Sequence, residues 1–129
     1  MSWNLSEHGF LMHLSSYIPK LIEKHIDELM QHALKRSGKS RDDIGCYAIH
    51  PGGKKILEAA AKALSIEDKD LRASYEVLKK FGNMSSATIL FVLKEIFQTE
   101  KIEGDKSLFA AAFGPGITIE TMMIKSATC

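Results

Sequence analysis

The sequence predicts an α/β fold in which a mixed β-sheet is flanked by helices, one of them nearly all-apolar. Three observations predict it. Short apolar runs alternate with longer segments of helical periodicity, as where "IGCYAI" precedes "KKILEAAAKAL". The stretch "MSSATILFVLKEIF" is long for a strand, yet it has no polar face across residues 87–93. Two strand-like runs, "SLFAAAF" and "ITIETMMIK", come in succession and are joined by Gly114-Pro115-Gly116.

The first element is at residues 9–14, "GFLMHL", which are short and apolar and read as a strand. Ile18, Leu21, Ile22, Ile26, Leu29, Met30 and Ala33 then keep the three-and-four spacing of an amphipathic helix, with Pro19 in its first turn. Residues 35–43, "KRSGKSRDD", read as a polar, solvated loop, and Asp42 and Asp43 lead into a second strand at "IGCYAI". Residues 54–64 are rich in helix formers. Ser65 reads as a cap for the next segment, and residues 71–80 as another helix, broken by Gly82-Asn83. Ser85 or Ser86 is placed to cap the apolar helix. "EGD" at 103–105 is a turn before the last two strands. The predicted order is βα, βα, α, α, ββ, in one domain over residues 1–129.

Composition narrows the function classes. A chain of 129 residues is long enough for one domain with a real core, and 45% hydrophobic with 26% charged residues is ordinary for a globular protein. A formal net charge of +1 gives no reason to expect nucleic acid or an anionic membrane as partner. The apolar run at 87–93 is interrupted by Thr88 and is far too short to span a bilayer. The N-terminus has no basic region followed by an apolar stretch, so no signal peptide is expected. Cys46 and Cys129 make no disulfide framework, and a reducing, cytoplasmic setting is expected.

The residues that invite a chemical role are few. His50 stands at the end of a strand, before Pro51-Gly52-Gly53, and is either a turn residue or a catalytic group. Gly52 and Gly53 allow backbone N–H groups to approach a ligand, and they open a helix whose amino end favours anions. Asn83 is either a turn residue suited to follow Gly82 or an amide donor at the mouth of a buried helix. Paired, His50 and Asn83 would suit a developing oxyanion, as in acyl transfer. Cys46 is no nucleophile for His50: four residues along a strand separate them by roughly 13 Å, whereas a thiol must lie within about 3 Å of its base. It reads as core. His8, His13, His25 and His32 carry no metal signature and read as surface. Met12, Met84, Met122 and Met123 read as core.

Three stretches taken together carry a resemblance: "YAIHPGGKKIL" at 47–57, "FGNMSSATILFVL" at 81–93 and "FGPGITIET" at 113–121. They resemble the C-terminal half of type III polyketide synthases, the chalcone and stilbene synthase family on the thiolase fold. The likeness extends from "HGFLMHLSSYIPKLI" at 8–22 to the C-terminus. It implies a thiolase-like half-domain whose helix after Asn83 is the buried central helix. It implies a Cys-His-Asn triad in which His50 is the histidine and Asn83 the asparagine. In that family the cysteine takes up an acyl-CoA starter. The other two residues assist decarboxylation of malonyl-CoA and stabilise the enolate and the tetrahedral intermediates. Coenzyme A thioesters are thus the implied substrates, with no cofactor and no metal.

The resemblance also places Phe113, Gly114, Pro115 and Gly116 in the loop that shapes the substrate pocket, with Ala112 where the family has a glycine. Met12 falls near a gating phenylalanine of plant members. Gly52, Gly53 and Lys55 are placed near the coenzyme A entrance, although Lys54 and Lys55 read equally well as solvated helix lysines. Nothing here resembles the family's N-terminal, nucleophile-bearing half. The expectation is therefore a piece of the enzyme, inactive alone and homodimeric through the apolar helix at 87–97. The alternative is a non-catalytic domain that binds acyl-CoA or a partner subunit.

Overall fold

A computed structural model describes residues 2–6, 9–13, 17–102, 104–114 and 118–125, with side chains from Tyr17 onward. The chain opens with β1 (Ser2–Ser6) and β2 (Gly9–His13), paired antiparallel in a register that sets the Trp3 backbone opposite that of Met12. Then come α1 (Ile18–Ser37), β3 (Ile44–Ile49), α2 (Lys54–Leu64), α3 (Arg72–Phe81), α4 (Thr88–Thr99), β4 (Ser107–Gly114) and β5 (Thr118–Lys125). The last three strands form a mixed sheet in the order β3-β4-β5. β3 and β4 run parallel, and β5 returns antiparallel to β4.

Strand alternation splits the core into two layers, one on each face of the sheet. Ile49, Phe109 and Ala111 point to one face, where they pack with Ile22, Ile26 and Met30 of α1 and Leu57, Ala60 and Leu64 of α2. Cys46, Ala48, Leu108 and Ala110 point to the other, against Ala73 and Val77 of α3 and Val92 and Ile96 of α4. The result is an α/β/α sandwich. Because β3 and β4 are covered on both faces, they read in sequence as unbroken apolar runs rather than alternating ones.

The predicted elements are present, with corrections at their ends. The strand expected at 9–14 is β2, Gly9–His13, with Leu14 outside the described residues, and it has a partner, β1, that was not expected. The polar segment 35–43 is helical at both ends: α1 runs to Ser37, closed by Gly38 in the left-handed region, and Arg41–Asp43 form a short 3-10 turn. Ser65 does not start the next helix. It ends α2, with φ +53°, and its N–H bonds back to Lys62. Neither Ser85 nor Ser86 caps α4 by a side chain, because a 3-10 turn, Ser85–Ala87, intervenes. The Thr88 hydroxyl instead accepts the Met84 N–H at 2.8 Å. Met122 is 53% exposed and is not core. Among the described residues no helix is long and apolar enough to cross a membrane.

A candidate active site at the end of strand 3

His50 sits one residue beyond β3 and is 6% exposed. Its N–H still donates to the Ala111 carbonyl at 2.9 Å, so the parallel ladder fixes its backbone before the chain turns away at Pro51. The imidazole meets the Phe113 ring edge-on, with centroids 6.2 Å apart. It has no hydrogen-bond partner among the described residues. Burial disfavours the charged form and holds the imidazole below its ordinary pKa. A neutral imidazole offers one N–H donor and one lone pair.

Asn83 is delivered from a different element. α3 ends at Gly82, whose φ of +69° and ψ of −159° lie in a region that glycine alone occupies without strain. The turn brings the Asn83 amide back toward the His50 loop, where Nδ2 donates to the Gly52 carbonyl at 3.3 Å. Oδ1 accepts the Ser85 N–H at 2.9 Å, closing an Asx-type turn that orients the side chain. The Thr88 hydroxyl approaches the same oxygen at 3.5 Å. One amide hydrogen is thus taken by Gly52, and the other meets no acceptor among the described residues.

Gly52 is the point where the two groups meet. Its carbonyl receives Asn83, and the Cδ2–Nε2 edge of His50 lies beside it. A Cβ there would stand 3.6 and 3.8 Å from those ring atoms and 2.8 Å from the Ile56 δ-methyl. Glycine keeps this space open. The structure therefore brings His50, Gly52 and Asn83 together, with Phe113 against the imidazole. Gly53 opens α2, and its carbonyl accepts from Ile56 and Leu57. Lys55 is exposed on the first turn of α2. The adjacent Lys54 pairs with Glu58. Gly114 ends β4 opposite Thr118. Pro115, Gly116 and the Met12 side chain lie outside the described residues.

Cys46 is in the core. Its thiol donates to the Glu100 carboxylate at 3.2 Å, and Glu100 in turn receives Arg72 at 3.2 Å. Burial first, and Glu100 second, push the thiol pKa up to about 12, the opposite of a nucleophile's environment. Among the described residues no three metal-ligating side chains come together. Sequence inspection passed over Ser74, a buried hydroxyl on α3 that bonds the backbone next to His50. Its only signal was a polar residue on a helix face otherwise marked by Ala73 and Val77.

The His50 environment gives a pH-dependent stability. With a folded pKa below the usual 6.5, His50 is neutral in both states above that value and costs nothing there. As pH falls from 6.5 toward the folded value, the unfolded chain takes up the proton and the folded chain does not. Stability is lost across that window and levels off below it. The urea midpoint of the wild type minus that of His50→Gln is expected to be flat above pH 6.5 and to decrease below it. A difference that rises on acidification would contradict the buried, neutral imidazole.

A three-strand mixed sheet between helices, with a buried histidine at a strand's end and an asparagine amide bonded to the loop that follows it, defines a thiolase-like α/β domain. The sequence model of the chalcone and stilbene synthase C-terminal domain matches residues 1–128, and the chain belongs to that family of type III polyketide synthases. A Bacillus subtilis (strain 168) protein named "Putative chalcone synthase" is 38% identical over 124 residues, which are 95% of this chain and 34% of that protein. The 1,3,6,8-tetrahydroxynaphthalene synthase of Streptomyces coelicolor superposes with a TM-score of 0.85 at 26% identity, over 99% of this chain and 36% of the synthase. CsyB in complex with coenzyme A gives 0.81 at 29% identity, over 98% and 36% respectively. The chain thus spans about a third of the length of these relatives.

Proposed function

We propose that this chain supplies the histidine and asparagine of a Cys-His-Asn site that condenses an acyl-CoA starter with malonyl-CoA. One observation carries the proposal: a buried, neutral His50 without a hydrogen-bond partner among the described residues converges with the Asn83 amide on Gly52. An uncharged imidazole and an amide with one hydrogen unspent, both beside Gly52, suit an oxygen that gains negative charge during reaction. Malonyl-CoA loses carbon dioxide as its Cα–carboxyl bond breaks. The electron pair passes to the thioester oxygen, which His50 and Asn83 hold as an enolate. The enolate carbon attacks the acyl group on the cysteine. The same donors hold the tetrahedral oxyanion until the thiolate leaves. Cys46, buried and protonated, is not that cysteine, and the proposed nucleophile is that of the family's N-terminal half. The likeness to CsyB, solved with coenzyme A, supports the class of substrate. Gly52, Gly53 and Lys55 are the residues of this chain proposed to stand at the coenzyme A entrance.

The test is complementation. The chain alone is expected to leave malonyl-CoA intact, and joining it to a nucleophile-bearing half, in cis or in trans, is expected to give condensation. Binding of acyl-CoA by the joined protein without any turnover would support the non-catalytic alternative instead.

The outer face of α4 bears on assembly. Thr88, Val92 and Ile96 are buried, while Leu90 and Phe97, seven residues apart on the opposite side, are 63% and 59% exposed. Exposed apolar surface of this kind promotes association. In the full enzyme the proposed cover is the other half. For the chain alone it is a second copy, and light scattering is expected to report a dimer at micromolar concentration. A stable monomer there would contradict self-pairing.

A further inference from the structure

β3 is an edge strand of the described sheet, and its last residues are deeply buried. Successive residues of a parallel strand present their backbone groups to opposite edges. The His50 N–H faces β4 and donates to Ala111. The Ile49 N–H and C=O face away from β4, toward α3, where no strand is available to receive them. Ser74 takes that strand's place. Its hydroxyl, itself 0% exposed, donates to the Ile49 carbonyl at 2.7 Å and accepts the Ile49 N–H at 3.3 Å. A hydroxyl is suited to this because it donates and accepts at once.

The Ile49–His50 peptide is therefore gripped on both sides, its carbonyl by Ser74 and its N–H by Ala111. Ser74 also belongs to α3, the helix whose end at Gly82 delivers Asn83. One rigid element thus anchors the backbone that carries His50 and presents the amide that meets it at Gly52. We infer that Ser74 is a positioning residue that sets the placement of His50 relative to Asn83 through its double hydrogen bond to Ile49. For catalysis this rests on the function proposed above. For geometry it stands alone.

Two arms of one experiment separate these. In the 129-residue chain, Ser74→Ala is expected to speed amide exchange at Ile49 and His50 by about 10-fold and to shift the His50 imidazole resonances. Ser74→Thr, which keeps the hydroxyl, is expected to leave both near wild type. In the enzyme joined to its nucleophile-bearing half, Ser74→Ala is expected to lower kcat about 10²-fold, with KM within about twofold and recovery in Ser74→Thr. A Ser74→Ala protein that merely melts earlier, with His50 resonances and kcat unchanged, would overturn the inference. If Ser74→Ala does not fold, the wild-type chain decides: protection of the Ile49 amide equal to that of the His50 amide supports the clamp, and exchange at the rate of a solvated amide overturns it. Should His50→Ala prove fully active, the proposed function fails while the resonance arm still decides the role of Ser74.

Discussion

His50→Ala is expected to lower condensation by the assembled enzyme about 10²- to 10⁴-fold, the range for removing a positioned proton-transfer or donor group. The physical cause is local. The imidazole is buried, uncharged and held by a backbone that is still in the sheet, so it points its polar edge without spending its hydrogen bonds on neighbours. Its removal deletes a donor that no described side chain replaces. His50→Gln keeps an N–H donor of similar reach and is expected to lose less than His50→Ala. Comparable loss in both would mean that the imidazole acts by proton transfer rather than by donation. Undiminished turnover in both would remove His50 from the mechanism.

Asn83→Ala is expected to cost about 10²- to 10³-fold in kcat, the usual effect of removing one oxyanion donor. Alanine also removes Oδ1, which holds the Ser85 N–H, so some of the loss would come from a loosened turn. Asn83→Asp separates the two contributions. Its carboxylate still accepts from Ser85 but replaces the amide donor by negative charge, beside an oxygen that itself becomes negative. It is expected to keep the Ser85 turn, although it sets a carboxylate oxygen against the Gly52 carbonyl, and to be at least as inactive as Asn83→Ala. An active Asn83→Asp enzyme would show that the side chain serves the turn alone.

How much of the fold was legible in the sequence differs by residue. β3, α2 and the start of α1 were legible because their apolar patterns are strong and their ends are marked by proline, glycine or polar loops. The apolar helix was legible as a helix, but not its first turn, where Thr88 rather than a serine satisfies the Met84 N–H. Ser65 misled because a left-handed residue that ends one helix has the same composition signal as a cap that begins the next. β1 was missed although "SWNLS" alternates polar and apolar residues, because an alternation of only five residues is defined as a strand by its partner β2. Met122 misled because it lies opposite Ala110 on the face toward α3 and α4, and those helices leave it exposed on the edge strand.

For the site, the motifs around His50 and Asn83 indicated which residues matter, but not how they meet. Their meeting at Gly52 depends on the turn at Gly82 and on the Asn83–Gly52 hydrogen bond, which joins residues 31 apart in the chain. Ser74 was hidden for a related reason. A buried serine on a helix has no sequence signature until the strand edge it serves is known.

The most direct test of the central claim is release of labelled carbon dioxide from carboxyl-labelled malonyl-CoA by the assembled enzyme. Decarboxylation isolates the step at which the enolate oxygen first needs its donors. His50→Ala and Asn83→Ala are each predicted to reduce the release by at least about 10²-fold, with folding intact by amide exchange. Wild-type release from either variant would contradict the assignment of an oxyanion-holding pair to these two residues.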